Sequence, residues 1–206
     1  MRTRLNKWGM VGIEAAIVLI AFVIVAAAFS FMVVNMGLFA TQRGRDAVQQ
    51  GLQEASTPLT MDGSIIIRGN STGDGVDVII IPLKTVGVKY VPMGADTTVV
   101  TLKIENRTAY ANIYHGINTT DPTDKTYDQL VAGVSAGQAI LFIENSDGDN
   151  SLDTQEKGYL VIHLGSGEHA TYRDHVFIEI RPEKGAPLSI EFVIPPELQS
   201  GYITIG

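Results

Sequence analysis

The chain changes character at about residue 58. Residues 15–34 read AAIVLIAFVIVAAAFSFMVV, in which Ser30 is the one polar side chain. Twenty residues of α-helix span about 30 Å, the thickness of a bilayer's hydrocarbon core. Arg2, Arg4 and Lys7 precede this run, and cations ahead of an apolar span hold the N-terminus in the cytoplasm and send the rest of the chain outward. The first segment therefore reads as an export and membrane element. A helical pattern continues through residues 41–56, where Ala47, Val48, Leu52 and Ala55 fall at spacings of about three and four. Arg43, Arg45 and Asp46 mark emergence into a polar setting. Thr57-Pro58 predicts the end of the helix, because proline disfavours helical backbone in the residue before it.

From about Leu59 onward the period shortens. Residues 64–68, 76–85, 97–105, 138–144, 158–164, 174–181, 187–194 and 201–205 are rich in Val and Ile and bounded by Gly, Pro, Asn and Asp, which predicts strands. Alternation places Val176, Ile178 and Ile180 on one face and Phe177 and Glu179 on the other. Val193-Ile194-Pro195-Pro196 suits an edge or a strand end, since proline cannot donate to a ladder. The expected fold is α+β: a long apolar N-terminal helix to residue 57, then an all-β sandwich or barrel-like head over residues 58–206.

Composition narrows the function classes. Of the 206 residues 45% are hydrophobic and 18% charged, too apolar for a disordered chain. The net charge of −7 argues against nucleic acid as a partner, which calls for a basic footprint. There is no cysteine, so disulfides, thiolate metal sites and thiol nucleophiles are excluded.

Three readings compete for the first forty residues. Ala26-Ala27-Ala28 offers a site to an ordinary signal peptidase, yet Phe29, Phe31, Met32, Val33, Val34, Met36, Leu38 and Phe39 come after it. A permanent single-span anchor fits the length. The third reading rests on Lys7-Trp-Gly9-Met10-Val-Gly12-Ile13-Glu14, a short basic leader that ends in glycine just before the apolar run. This resembles the class III signal of type IV pilins and archaeal flagellins (archaellins). The resemblance implies cleavage after Gly9 by a dedicated membrane peptidase, giving a leader 1–9, a core helix 10–57 and a mature chain that starts at Met10 with Gly12-Ile13 at its third and fourth positions. Glu14 departs from many archaellins; in pilins a glutamate there is thought to meet the terminal amine of a neighbouring subunit, and the alternative is a carboxylate at the headgroup boundary. Gly37, Gly44 and Gly51 recur every seven residues. Each costs about 1 kcal/mol of helix propensity relative to alanine. Close approach between packed helices would account for them, as would coincidence. In such a packed core Ala26, Ala27 and Gly37 should reject large side chains.

The C-terminal stretch RPEKGAPLSIEFVIPPELQSG also resembles archaellins, whose heads commonly end in a hairpin written around Gly-Ala-x-Leu-x-Ile, here Gly185-Ala186-Pro187-Leu188-Ser189-Ile190. The resemblance covers the first sixty residues and the last thirty, and residues 60–170 in style alone. It implies a non-enzymatic structural subunit that polymerises with itself through its helix into an extracellular archaellum for swimming. It further implies a membrane-held precursor, a preflagellin peptidase and membrane-bound assembly machinery as partners. A type IV pilin or adhesion-filament subunit is the alternative that Glu14 favours. A monomeric, membrane-anchored binding domain is the third.

Two further features bear on the head. In Asn145-Ser-Asp147-Gly-Asp149-Asn150-Ser151-Leu152-Asp153-Thr-Gln-Glu156 oxygen donors fall at positions one, three, five, seven, nine and twelve of a calcium loop, with Leu152 at the apolar eighth. Asn145 stands where aspartate is usual and Asn150 where glycine is. The expectation is one structural Ca2+; the alternative is a solvated acidic turn. Sequons at Asn70, Asn106 and Asn118 make glycosylation plausible in an exported domain. No catalytic motif is present: His115, His163, His169 and His175 have no metal-ligand spacing, with His163 and His175 expected as packed or surface residues.

Overall fold

The computed structural model describes residues 7–70, 73–105, 107, 109–165 and 169–205, with the backbone alone at 7–11 and 53–55. The leader cations Arg2 and Arg4 and the second sequon residue Asn106 lie outside the described residues. The chain divides into two units at Gly51 and Leu52.

The first unit is the body of helix α1 (Lys7–Ala55), 49 residues, or about 74 Å at 1.5 Å per residue. It stops two residues short of the Thr57-Pro58 dipeptide that predicts its end. Among the described residues it is the one helix long and apolar enough to cross a membrane, over Gly12–Leu52.

Among the described residues, the second unit is built on twelve strands. The large sheet takes β1 (Leu59–Met61), β2 (Ile65–Gly69), β3 (Val76–Thr85), β6 (Tyr114–Asn118), β7 (Gln138–Glu144), β9 (Lys157–His163) and β12 (Gly201–Ile205), in the order β12-β2-β3-β9-β7-β6 with β1 also on β3. All pairs are antiparallel apart from β6 and β7. The small sheet runs β11 (Leu188–Val193), β10 (His175–Arg181), β5 (Val99–Ile104). A two-stranded ribbon joins β4 (Tyr90–Pro92) to β8 (Ser151–Asp153), and a short helix α2 (Tyr127–Val131) completes the unit.

Side-chain alternation sorts the core. Val100, Leu102 and Ile104 of β5 stand level with Ile180, Ile178 and Val176 of β10. These pack against Ile79, Ile81, Leu160, Ile162 and Leu141 of the large sheet. The opposite parity of the large sheet (Ile66, Val78, Ile80, Val161 and Phe142) is covered by Leu130 and Val131 of α2 and by Val134. The large sheet is thus buried on both faces, which is why β3 reads as the continuous run VDVIIIPLKT where a half-exposed strand would alternate. Pro82 is tolerated inside it. The Pro82 carbonyl accepts the Asp62 N–H at 2.9 Å, so the missing N–H faces the gap between β1 and β2 and costs no ladder bond.

The chain enters the head through a tight junction. The Ala186 N–H donates to the Ser56 carbonyl at 3.0 Å, and Val86 N–H to that of Pro58 at 2.9 Å. Gly185 has φ +95°, and a Cβ there would stand 2.7 Å from Cδ of Pro58, so the Gly-Ala pair of the C-terminal hairpin has both a backbone and a steric reason to be what it is.

Candidate functional site

The feature that demands a function is the surface of α1. Nineteen large apolar side chains on it, from Ile13 to Leu52, are between 52% and 74% exposed. Scattered exposed hydrophobics are ordinary on any protein, but a contiguous apolar surface of this size marks an interaction or membrane surface. The helix is apolar on all sides across residues 15–34, as expected of one surrounded by other helices or by lipid. A Cβ built on Gly12, Gly37, Gly44 or Gly51 meets nothing within 4 Å in the single chain. The chain's own packing therefore gives no reason for those glycines. Glu14, Ala26 and Ala27 are likewise exposed on the helix, while Lys7, Gly9 and Met10 lie in its first turns. Thr41 is accommodated by donating its hydroxyl to the Gly37 carbonyl at 2.8 Å, four residues back.

The acidic loop joins β7 to β8. Its centre is Glu156, just 6% exposed. Glu156 Oε1 accepts the Asp147 N–H at 3.0 Å and Oε2 the Asp153 N–H at 2.8 Å. Asp147 Oδ1 accepts from the Asp149 N–H, and Asp149 Oδ1 from the Ser151 N–H. These are successive Asx turns, each side chain capping the backbone two residues on. Left-handed backbone falls at Asn145 (φ 58°) and Gly148 (φ 93°), and not at Asn150, the sixth position of the calcium register. Leu152 is fully buried, as its apolar eighth position predicts, but it sits in β8 beside Val91. Among the described residues no three His, Asp or Glu side chains stand close enough together to hold a metal ion. Asn145, Asp147, Asp149, Ser151, Asp153 and Glu156 all lie between β7 and β9, on this loop, on the strand β8 it leads into and in the turn after it.

The two described sequon asparagines flank strands. Asn70 follows β2 and donates its amide to Asp74 Oδ1 at 3.3 Å. Asn118 ends β6, its Oδ1 accepting the Thr120 N–H at 2.9 Å. His163 packs by hydrogen-bonding the Val134 carbonyl at 2.8 Å through Nδ1. His175 is exposed on the small sheet between Glu105 and Glu191. Both match the expectation of packed or surface histidines.

The family profile for archaeal-type flagellin matches residues 9–192, tail and head together. This chain belongs to the archaeal-type flagellin family. A probable flagellin 1 of Aeropyrum pernix is 42% identical over 200 residues, covering 95% of this chain and 96% of that one. Among solved structures, the archaeal flagellum of Methanospirillum hungatei aligns with 93% of this chain and 98% of its own at TM-score 0.54 and 23% identity. The archaeal flagellin FlaB1 of Methanocaldococcus jannaschii aligns with 71% and 94% at TM-score 0.60 and 16% identity. The flagellin fold of an apolar helix followed by a β-rich head is thus the fold of this chain. The resemblance drawn from Gly9-Met10, Gly12-Ile13 and Gly185-Ala186 holds at the level of the family.

Five elements of this flagellin are missing from the strand and helix periods of the sequence: the short strands β1, β4, β6 and β8, and α2 with the groove beside it. The signal that marks α2 is Thr126-Tyr-Asp-Gln129, a capping box in which the Gln129 side chain accepts the Thr126 N–H at 3.1 Å.

Proposed function

We propose that this flagellin is the major structural subunit of an archaellum, polymerising through α1 into an extracellular helical filament used for swimming. The carrying observation is the exposed apolar surface of α1 in a chain whose family match spans tail and head. Each large side chain on that surface gains about 1.5–3 kcal/mol when taken from water, and helix-to-helix packing in a filament core supplies the burial. The glycines of α1, unexplained within one chain, are suited to close helix approach. An open filament requires a head-to-tail interface, because a self-complementary one closes on itself. The adhesion-filament and lone-anchor alternatives are not favoured.

Before assembly the helix spans the membrane with the head outside. A class III preflagellin peptidase cuts between Gly9 and Met10, and the membrane-bound assembly machinery then draws the helix into the filament. Support comes from the family match, which begins at residue 9. The cut leaves 197 residues, and the loss of Arg2, Arg4 and Lys7 takes the net charge from −7 to −10. Glu14 would then lie at the fifth mature position, within reach of a neighbour's terminal amine. Asn70, Asn106 and Asn118 are the acceptors for any N-glycan on the head.

N-terminal sequencing and intact mass of filaments sheared from native cells test this reading. Met10 is expected first. A start at Phe29, or an uncut Met1, overturns the processing; absence of the chain from filaments overturns the function.

A further inference from the structure

Beside α2 lies an open groove of about 500 Å3. Three tyrosine rings line it, beside Pro122 and Leu130: Tyr127 of α2 and Tyr202 of β12 stand 5.2 Å apart, tilted by 50°, and Tyr159 of β9 is the third. Its charged groups are two carboxylates, Asp128 and Glu144, and Lys125, with the polar Thr123 and Thr126 also in the lining. These groups are held in place by the protein. Asp128 Oδ1 accepts the Tyr202 hydroxyl at 2.8 Å and Nη1 of Arg68 at 3.2 Å. Arg68 is itself fixed by a two-point pairing with Asp77, at 3.0 and 2.9 Å. The Tyr159 hydroxyl donates to Glu144 Oε2 at 3.1 Å. Burial pushes the Tyr202 hydroxyl up to about 12, with the Asp128 hydrogen bond adding to it, so Tyr202 remains a hydrogen-bond donor across the neutral range. Such pre-ordering lowers the entropy a ligand must give up to bind.

The charge pattern selects the ligand class. The tyrosine faces that would attract a cation already carry resident ones: the Arg68 guanidinium lies 5.9 Å from the Tyr202 ring centre, and the Lys157 ammonium 5.5 Å from that of Tyr159. A cationic ligand would displace or repel these, and an anion would meet Asp128 and Glu144. The ligand that suits the groove is neutral, with an apolar face for the exposed Tyr127 ring and hydroxyls for carboxylate acceptors. A sugar ring has both, in its C–H face and its hydroxyl rim. We infer that this groove, where Tyr127, Tyr159 and Tyr202 converge with Asp128 and Glu144, binds a neutral sugar residue. The sugar has two possible sources: polysaccharide outside the filament, or a glycan on the chain itself. Asn118 Nδ2 lies 3.5 Å from a Cβ built on Gly133, just past the end of α2.

The test uses the full chain made in a bacterium that adds no glycan, in micelles of a zwitterionic detergent without a sugar headgroup. Methyl α-mannoside, N-acetylglucosamine and cellobiose are the probes, and magnetisation transfer from protein to sugar protons is the readout. Saturable transfer strongest at ring C–H protons is expected for at least one probe. Tyr127→Ala and Glu144→Gln should each weaken it roughly tenfold, about 1.4 kcal/mol. Tyr90→Ala, on β4 and exposed, should leave it unchanged, which separates the groove from general stickiness. Native filaments then distinguish the sources: binding equal to that of the bare chain identifies an external sugar, and binding restored by Asn118→Gln identifies the chain's own glycan. No saturable transfer from any of the three probes to the bare chain overturns the proposal. So does binding of choline chloride in their place, or indifference to both groove variants.

Discussion

Isoleucine occupies two opposite settings in this molecule. Ile79, Ile80 and Ile81 in β3 have no exposed surface, whereas Ile17, Ile20 and Ile24 in α1 are 57–63% exposed. The head satisfies its own apolar residues between two sheets and beneath α2, so its sequence is explained by its own fold. The helix leaves its large apolar residues exposed from Ile13 to Leu52, so its sequence is explained by what surrounds it. A residue's chemistry is the same in both places. What differs is whether the solvent that must be excluded is excluded intramolecularly.

The comparison breaks most decisively at assembly. Ala27→Leu and Gly37→Leu add bulk to a helix whose own chain leaves space, and Gly37→Leu also gains about 1 kcal/mol of helix propensity. Both should insert into membrane normally yet give few or no filaments, seen as processed subunit in membrane fractions and bare cells by electron microscopy. Normal filaments from both would mean that close helix packing does not join the subunits. The next effect is on the head. Ile80→Ala removes buried methyl and methylene groups from the face under α2 and should cost about 2–5 kcal/mol. Ile24→Ala should leave the same transition within about 0.5 kcal/mol. Thermal unfolding of the full chain in detergent, followed by tyrosine near-UV circular dichroism, measures both. Equal losses would erase the distinction between the regions.

Two smaller tests sharpen the picture within the head. Glu156→Gln weakens two hydrogen bonds from backbone N–H groups to a buried carboxylate and should cost about 1–3 kcal/mol. Calcium against chelator in the parent chain shows whether the loop does more than cap its own backbone. A calcium-dependent rise in Tm that is lost in Asp147→Ala with Asp149→Ala would establish a cation site, and superimposed curves would leave the self-capped loop as the whole account. Last, Asp62 is held below the usual aspartate range by hydrogen bonds from Lys84 and then Lys157. A carboxylate lowered by folding contributes stability above its unfolded value of about 3.9 and loses it as pH falls through the folded value. Asp62→Asn should therefore flatten the head's acid unfolding below about pH 3.9, with a small shift because the pairs are partly exposed.

The elements legible in the sequence are those whose pattern is local. The bounds of β3, β7 and β12 come from runs of Val and Ile between turn residues, and the end of α1 from Thr57-Pro58. The faces of β10 come from strict alternation. The rest is fixed by distant partners. β4 and β8 are three residues each and exist because Tyr90 meets Asp153 across the fold. β6 runs parallel to β7 with a register shift between Tyr114 and Ile117, so it shows no clean alternation. α2 is one turn long, too short for a periodic signal, and carries just its capping box. The acidic segment is legible as a loop of spaced oxygen donors between strands. Which groups those oxygens face depends on the backbone, and here the carboxylates of Asp147, Asp149 and Glu156 face N–H groups of the loop itself.

The pairing of β12 with β2 sets a timetable. Ile65 lies opposite Ile205, so a strand made early waits for one made 140 residues later before its edge is covered. Helix α1 needs no distant partner for its backbone hydrogen bonds, and helix formation is a fast local event. Pairing at such sequence separation is slow, because the chain loses loop entropy before any contact rewards it. The β2 edge therefore stays uncovered until residues 201–205 have been made, and the large sheet is completed by its C-terminal strand.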